Sequence, residues 1–303
     1  MKTQATEQIC RSLLQKAVRR GVVDVAEKAV VYLLQQGGAV WLRNRLGVIA
    51  CEEVLAYVGR LEFTTQEDAL IRQYTEMARA AKNKNAAGLG SLAAELENGY
   101  RSLLVKGDPA SKDLRIVAEA IRRPDAFWQW IHSQPVAGSN LSVIEKAEAA
   151  FRGSGLPGDK VFSLASAYLA VLNQIPTLSM PEYVVEAFPY WIAIDKHTDP
   201  GKRALQQCAE ALNVEYRTLG AIQYYLEGGL CRNLEPSPWW ERDVRWQLER
   251  LGVHEGKAEA IWQNASAYLQ EHLAAQVEVF KDELEHAFEL YRSTLRTQDS
   301  LFR

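Results

Sequence analysis

Proline is missing from both ends of this 303-residue chain: none of its ten prolines precedes Pro109 and none follows Pro238. Because proline costs a helix interior about 3 kcal/mol, two long proline-free flanks point to helix. Cysteine is scarce and scattered. Cys10, Cys51, Cys208 and Cys231 form no CxxC, which argues against a zinc site or a redox pair, and four reduced thiols suit a cytoplasmic protein. No run approaches the roughly 20 apolar residues of a spanning helix, and polar residues interrupt every turn of the opening MKTQATEQICRSLLQKAVRRG. Neither a membrane segment nor a signal peptide is therefore expected. Charge of one sign is lacking too: a net −3 excludes a polybasic nucleic-acid binder and an acidic tail protein.

Catalytic signatures are equally absent. There is no GxxxxGK[ST], no GxSxG, no HExxH, and no HxE followed by PCxxC. Glu283 and His286 give a single ExxH, whereas a di-iron site needs two copies on facing helices. No catalytic residue, metal site or cofactor is expected.

What is present is helical periodicity almost everywhere. Ile9, Leu13, Leu14, Ala17 and Val18 share one face of a first helix, with Arg11, Lys16, Arg19 and Arg20 opposite or at its C-terminal end. Gly21 and the Gly37–Gly38 pair stop the first two helices, and turns that short force neighbours to pack side by side. Further helices are expected over 68–81, 91–105, 111–122, 141–151, 160–173, 181–193, 215–226 and 239–251. From Lys257 the three-and-four spacing of Ile261, Ala265, Tyr268, Leu269, Leu273, Phe280, Leu284, Phe288 and Tyr291 specifies a helix of roughly 40 residues, about 60 Å long. Such a helix crosses a whole molecule or offers a seam to a partner. The fold class is all-α: a multi-helix array of two helical subdomains, 1–107 and 108–303, divided at Gly107-Asp108-Pro109, the second ending in the long helix.

Two segments carry anion-binding chemistry. In Asp195-Lys196-His197-Thr198-Asp199-Pro200-Gly201-Lys202-Arg203, Thr198 or Asp199 suits an N-cap and Pro200 the first helical turn. Lys202 and Arg203 then stand where the helix dipole disfavours cations, and with Lys196, His197 and a permissive glycine they compose an anion site. The other segment is Lys82-Asn83-Lys84-Asn85 before Ala86-Ala87-Gly88-Leu89-Gly90: Lys82 and Lys84 suit phosphate contacts, and the small residues suit close backbone approach. Arg43 and Arg45 beside Trp41 make a third cationic cluster. Tryptophan is abundant at Trp128, Trp130, Trp239, Trp240 and Trp246, and the adjacent pair Trp239–Trp240 cannot share one helical face.

The first 60 residues carry a resemblance. Arg11 to Gly21, Ala26 to Leu34, and Trp41-Leu42-Arg43-Asn44-Arg45-Leu46-Gly47-Val48-Ile49-Ala50-Cys51-Glu52-Glu53-Val54 follow one another as a basic helix, an amphipathic helix and an "xRRLxxIAxED"-like helix. This order resembles the helical region after the ATPase module in clamp-loader-like AAA+ proteins, above all the bacterial replication-associated recombination ATPase family (RarA, also called MgsA). The resemblance covers about a fifth of the chain, and the family's ATPase module and its later Tyr/His/Pro-rich segment have no counterpart. It implies a collar-like module of DNA maintenance that oligomerises or docks on a protein, with an AAA+ ATPase acting in trans. The expected function is a non-enzymatic accessory protein of DNA replication or repair that touches DNA phosphate through Lys82, Lys84, Lys196, His197, Thr198, Lys202 and Arg203. The competing readings are a protein-interaction scaffold without nucleic-acid binding, and an enzyme on a phosphorylated small molecule with His197 as acid–base group.

Overall fold

A computed structural model describes residues 2–182 and 187–301. Among the described residues there are thirteen α-helices, and the only β-type pairing is two isolated bridges. The chain is all-α, and no helix among the described residues is long and apolar enough to cross a membrane.

The N-terminal helices form as their periodicity requires: α1 (Lys2–Arg20), α2 (Val23–Gln35) and α3 (Ala39–Glu53), followed by a 3-10 turn over Leu55–Arg60 and by α4 (Glu67–Arg79). Gly21 takes a φ of +72°, and the Val22 amide reaches back to the Ala17 carbonyl, closing α1 against α2. Next come α5 (Asn85–Glu97), a 3-10 turn at Arg101–Leu103, α6 (Ala110–Arg122), α7 (Pro124–His132), α8 (Gly138–Gly153) and α9 (Pro157–Val171). A 3-10 turn at Tyr190–Ala193 leads to α10 (Asp199–Ala211) and α11 (Tyr216–Gln223). A π-helical turn over Tyr224–Gly228, α12 (Pro238–Arg250) and α13 (Glu255–Leu301) complete the chain. Of the helix expected over 181–193, residues 183–186 lie outside the described residues; 187–189 are not helical, and only the Tyr190–Ala193 turn remains.

The long terminal helix is present, at 47 residues or about 70 Å. Its buried stripe, Ala258, Trp262, Ala265, Leu269, Leu273, Phe280 and Leu284, packs on α2, α10, α11 and the Tyr190–Ala193 turn. The break at Gly107–Pro109 does not divide the core. One buried cluster runs from Ile9 to Leu284, and α5 packs on α6, α9 and α12 across that break.

The segment at Lys82 differs most from its expected role. It is not an exposed turn. Lys82 and Asn83 pair with two other pieces of chain: the Asn83 amide donates to the Glu53 carbonyl (2.9 Å), the Lys82 amide to the Asn233 carbonyl (3.0 Å), and the Glu235 amide to the Lys82 carbonyl (2.8 Å). Helix α5 therefore starts at Asn85 rather than Ser91, and its small residues serve internal packing. A Cβ on Gly88 would stand 2.2 Å from the Trp239 backbone, so this glycine admits α12 and not a nucleic acid. The Trp239–Trp240 pair divides as helical geometry demands: Trp240 is buried, while Trp239 is half-buried beneath the Arg242 guanidinium.

Both lysines of this segment are consequently interior. The Lys82 ammonium donates to the carbonyls of Met77 (3.0 Å), Ala78 (2.9 Å) and Ala80, capping the C-terminus of α4, and burial lowers its pKa to about 8. Lys84 pairs with Glu53 at 3.0 Å and lies 4.1 Å from the Trp240 ring centroid. From the other side Arg19 grips Glu53 through Nε (2.7 Å) and Nη2, reaches Glu52 at 3.0 Å, and donates to the Gly228 carbonyl. Burial opposes the charge on Glu53, but the Arg19 guanidinium and the Lys84 ammonium outweigh it and hold the carboxyl well below the usual carboxylate range. For Glu52, burial and then repulsion from Glu53 prevail, and its pKa rises.

Removing one partner from such a buried set strands the others without compensation. Glu53→Ala is expected to destabilise the protein by about 3–5 kcal/mol in urea unfolding, whereas Lys202→Ala on the surface should stay within about 0.5 kcal/mol of the parent. Equal effects of the two substitutions would contradict the assigned network.

Candidate functional site

The polar face of α1 turns toward a cavity, with Gln8 exposed at one end and Lys16 and Arg19 buried at the other. Gln8, Arg11, Ser12, Gln15, Lys16 and Arg19 recur at three- and one-residue steps, which places them along one side of the helix, and all six line a cavity of about 390 Å³. The facing wall comes from Trp191 to His197 and from the Gln223–Gly228 stretch where α11 passes into its π-helical turn. Trp41, Arg45, Leu156, Asp159 and Phe162 close the remaining side. Trp191 stacks on Trp262 of α13 (6.1 Å between centroids), so the long helix buttresses the cavity from behind.

Most charges on these walls are neutralised locally. Lys16 pairs with Asp195, and Arg45 reaches Asp159 at 2.6 Å and Gln15 Oε1 at 2.6 Å. Gln15 in turn donates to Glu52 at 2.7 Å, which joins the cavity wall to the buried Arg19–Glu53–Lys84 set. Glu227 accepts from Arg20 and from the Trp262 indole (3.1 Å). Burial alone would raise the Asp195 carboxyl, yet the Lys16 ammonium and the His197 ring at 3.2 Å outweigh it and hold it well below its ordinary value. Burial in turn lowers Lys16, against the pull of Asp195.

Lys196 stands apart. It is half-buried in the cavity wall, no carboxylate among the described residues lies within ion-pair distance of it, and its ammonium stands 5.6 Å from the centroid of the Tyr224 ring. Burial lowers its pKa, with only a partial correction from Asp195. Two further polar atoms of the lining, Oε1 of Gln223 and Nε of Arg11, are buried without a hydrogen-bond partner.

The seven expected site residues thus separate. Lys82 and Lys84 cannot contact phosphate, because each is folded into the interior: one caps α4 and the other neutralises Glu53. Thr198 is the N-cap of α10, its Oγ1 accepting from the Gly201 amide at 3.1 Å, and it is fully buried. A Cβ on Gly201 would sit 2.0 Å from the Asp195 carbonyl oxygen, so the close approach that glycine permits is taken by the chain itself. Lys196 and His197 line the cavity, and exposed Lys202 and Arg203 follow within one turn of the α10 cap. Lys202 is 3.6 Å from Asp199, while Arg203 has no ion-pair partner among the described residues.

Sequence reasoning missed Arg11, Lys16, Arg19 and Gln223. A signal for the first three was present: the six polar residues of α1 keep one helical face, yet Lys16 and Arg19 have no acidic residue within four positions to pair with on a solvated surface. Gln223 carries no such signal.

Ser12 Oγ lies 2.7 Å from the Lys16 ammonium, a juxtaposition that activates hydroxyl nucleophiles when the amine is neutral. Here the same amine is held in an ion pair with Asp195. Among the described residues no group of His, Cys, Asp and Glu side chains could hold a metal ion. Neither a protein-family model, nor a curated protein, nor a solved structure matches this chain.

The Asp195–Lys16 pair sets a pH dependence. A carboxyl whose folded pKa lies below its unfolded value of about 3.9 contributes stability above that pH and loses it as pH falls toward the folded pKa. Asp195→Asn is therefore expected to lower the urea midpoint by a constant amount from about pH 8 to 5, with the deficit shrinking below about pH 4. No deficit at pH 7 would contradict the pairing.

Proposed function

We propose that this chain is a non-enzymatic helical accessory protein of DNA replication or repair, which contacts nucleic-acid phosphate at the cavity rim and associates with itself or with a protein partner. One observation supports the phosphate contact above all: Lys196, His197, Lys202 and Arg203 fall within eight consecutive residues around the start of α10, and neither Lys196 nor Arg203 has a carboxylate partner among the described residues. Because Thr198 and Asp195 occupy the first-turn geometry internally, side chains rather than helix amides would make these contacts. A local cationic rim on a chain of net charge −3 favours a few phosphate contacts over a long track. The resemblance of the first 60 residues to the clamp-loader collar supplies the DNA-maintenance setting, with an AAA+ ATPase in trans as the partner class.

A scaffold reading is favoured by a separate observation. Val279 and Leu290 are 57% and 56% exposed and lie three helical turns apart on the same side of α13, with Glu283 and His286 between them, a mixed face suited to a second copy of the chain. Under that reading Leu290→Glu abolishes self-association in light scattering without unfolding the protein, and DNA affinity is absent.

Fluorescence anisotropy with short single- and double-stranded DNA across a salt series tests the proposal. Binding is expected at low salt, and Lys202→Ala with Arg203→Ala should reduce the slope of log K against log salt by about one per phosphate contact removed. No binding at low salt, or a slope unchanged in the double variant, would overturn it.

A further inference from the structure

Resting on the phosphate-contacting reading and deepening it, we propose that the cavity between α1 and the Trp191–His197 stretch seats a single nucleotide unit. Its phosphate would lie against Lys196 and Arg11, and its base among the aromatic side chains of the wall.

Size comes first. At about 390 Å³ the cavity is at the lower end of the 300–1,000 Å³ typical of small-molecule sites. It cannot admit a duplex, and a strand could enter only by its end.

Charge comes next. Every carboxylate of the lining is engaged: Asp195 by Lys16, Asp159 by Arg45, Glu52 by Arg19 and Gln15, Glu227 by Arg20 and Trp262. Among the described residues the cation left over is Lys196; Arg11 is paired with Glu7 through Nη2, but its Nε keeps a donor with no acceptor. An anion is what satisfies both.

The third requirement is a planar ring carrying an N–H. Trp41, Phe162, Trp191 and Tyr224 all line the cavity, and an aromatic ligand would pack among them on the sides left by Arg11 over Trp41 and Trp262 against Trp191. Gln223 is only 7% exposed and its Oε1 accepts nothing, a rarity for a buried carbonyl. It would accept from an exocyclic amine or a ring N–H. Inorganic phosphate meets only the charge requirement and an apolar aromatic only the stacking one, whereas a nucleotide meets all three.

The same unit could arrive as a free mononucleotide or as the 5′-phosphorylated end of a strand. Tryptophan fluorescence titration of the intact protein separates these sources. The probes are the four nucleoside 5′-monophosphates, the matching nucleosides, inorganic phosphate, and linear oligonucleotides ending in 5′-phosphate or 5′-hydroxyl. At least one monophosphate or phosphorylated end is expected to bind one per chain. Removing the phosphate, or Lys196→Ala, should weaken it about tenfold or more, as loss of a charge-assisted contact does. Gln223→Leu should weaken the nucleotide but not inorganic phosphate, a readout that a merely damaged fold would not produce; circular dichroism confirms helix content in each variant. Failure of every monophosphate and phosphorylated end, or inorganic phosphate binding as tightly as any nucleotide, overturns the proposal. So does nucleotide affinity unchanged in both Lys196→Ala and Gln223→Leu. Circular single-stranded DNA has no ends: binding to it that depends on Lys202 and Arg203, with no nucleotide binding, would discard the cavity site and leave the surface reading standing.

Discussion

Glu53 is a fully buried carboxylate, and much of the molecule is arranged around its charge. It draws Arg19 from the end of α1 and Lys84 from the start of α5, and its own backbone carbonyl holds Asn83 in place. Arg19 in turn fixes the Gly228 carbonyl of the π-helical turn, and Lys84 meets the Trp240 face on α12. Five segments distant in sequence thus converge on one ion. Desolvated ion sets of this kind add little net stability over an apolar core, but they penalise every arrangement that leaves a member unpaired. They therefore select one packing of helices whose apolar faces alone would tolerate several.

The neighbouring carboxylate gives this interior a functional outlet. Glu52 and Glu53 leave the end of α3 side by side, one enclosed by two cations and the other on the cavity wall, where Gln15 and Arg45 continue the chain of contacts to Asp159. The cavity is polar and charged, yet its charges are consumed in pairs that hold α1 against the loop before α10. What those pairs leave unsatisfied is small and specific: the Lys196 ammonium, the Arg11 Nε and the Gln223 carbonyl. A site defined by its few unmet contacts suits selective binding.

The helices were readable because apolar periodicity and stop signals are local. Gly21, the Thr198 cap with Pro200 in the first turn, and the stripe from Ile261 to Leu284 all express themselves within a few residues. The cations were not readable, because their partners are remote. A lysine is nearly always exposed unless paired, and Lys84 finds its carboxylate 31 positions away, Lys16 its own 179 away. The same Lys-Asn-Lys-Asn run that suits a phosphate-binding turn is an interior brace once Glu53 and the carbonyls ending α4 surround it. The small residues after it serve α12 in the same way. Of the anion-binding residues read from sequence, Lys196, His197, Lys202 and Arg203 keep solvent access, and the cavity that Lys196 and His197 line was invisible because α1, its main wall, reads as an ordinary amphipathic helix.

The central claim is that the wall charges are neutralised internally and leave Lys196 as the unpaired cation of the cavity. The most direct measurement is an NMR titration of the Lys196 side-chain ammonium, assigned with Lys196→Arg, in the free protein and with a nucleoside monophosphate added. The expected result is a pKa below the ordinary lysine value that rises when the anion binds. An ordinary pKa, unmoved by the ligand, would contradict the account.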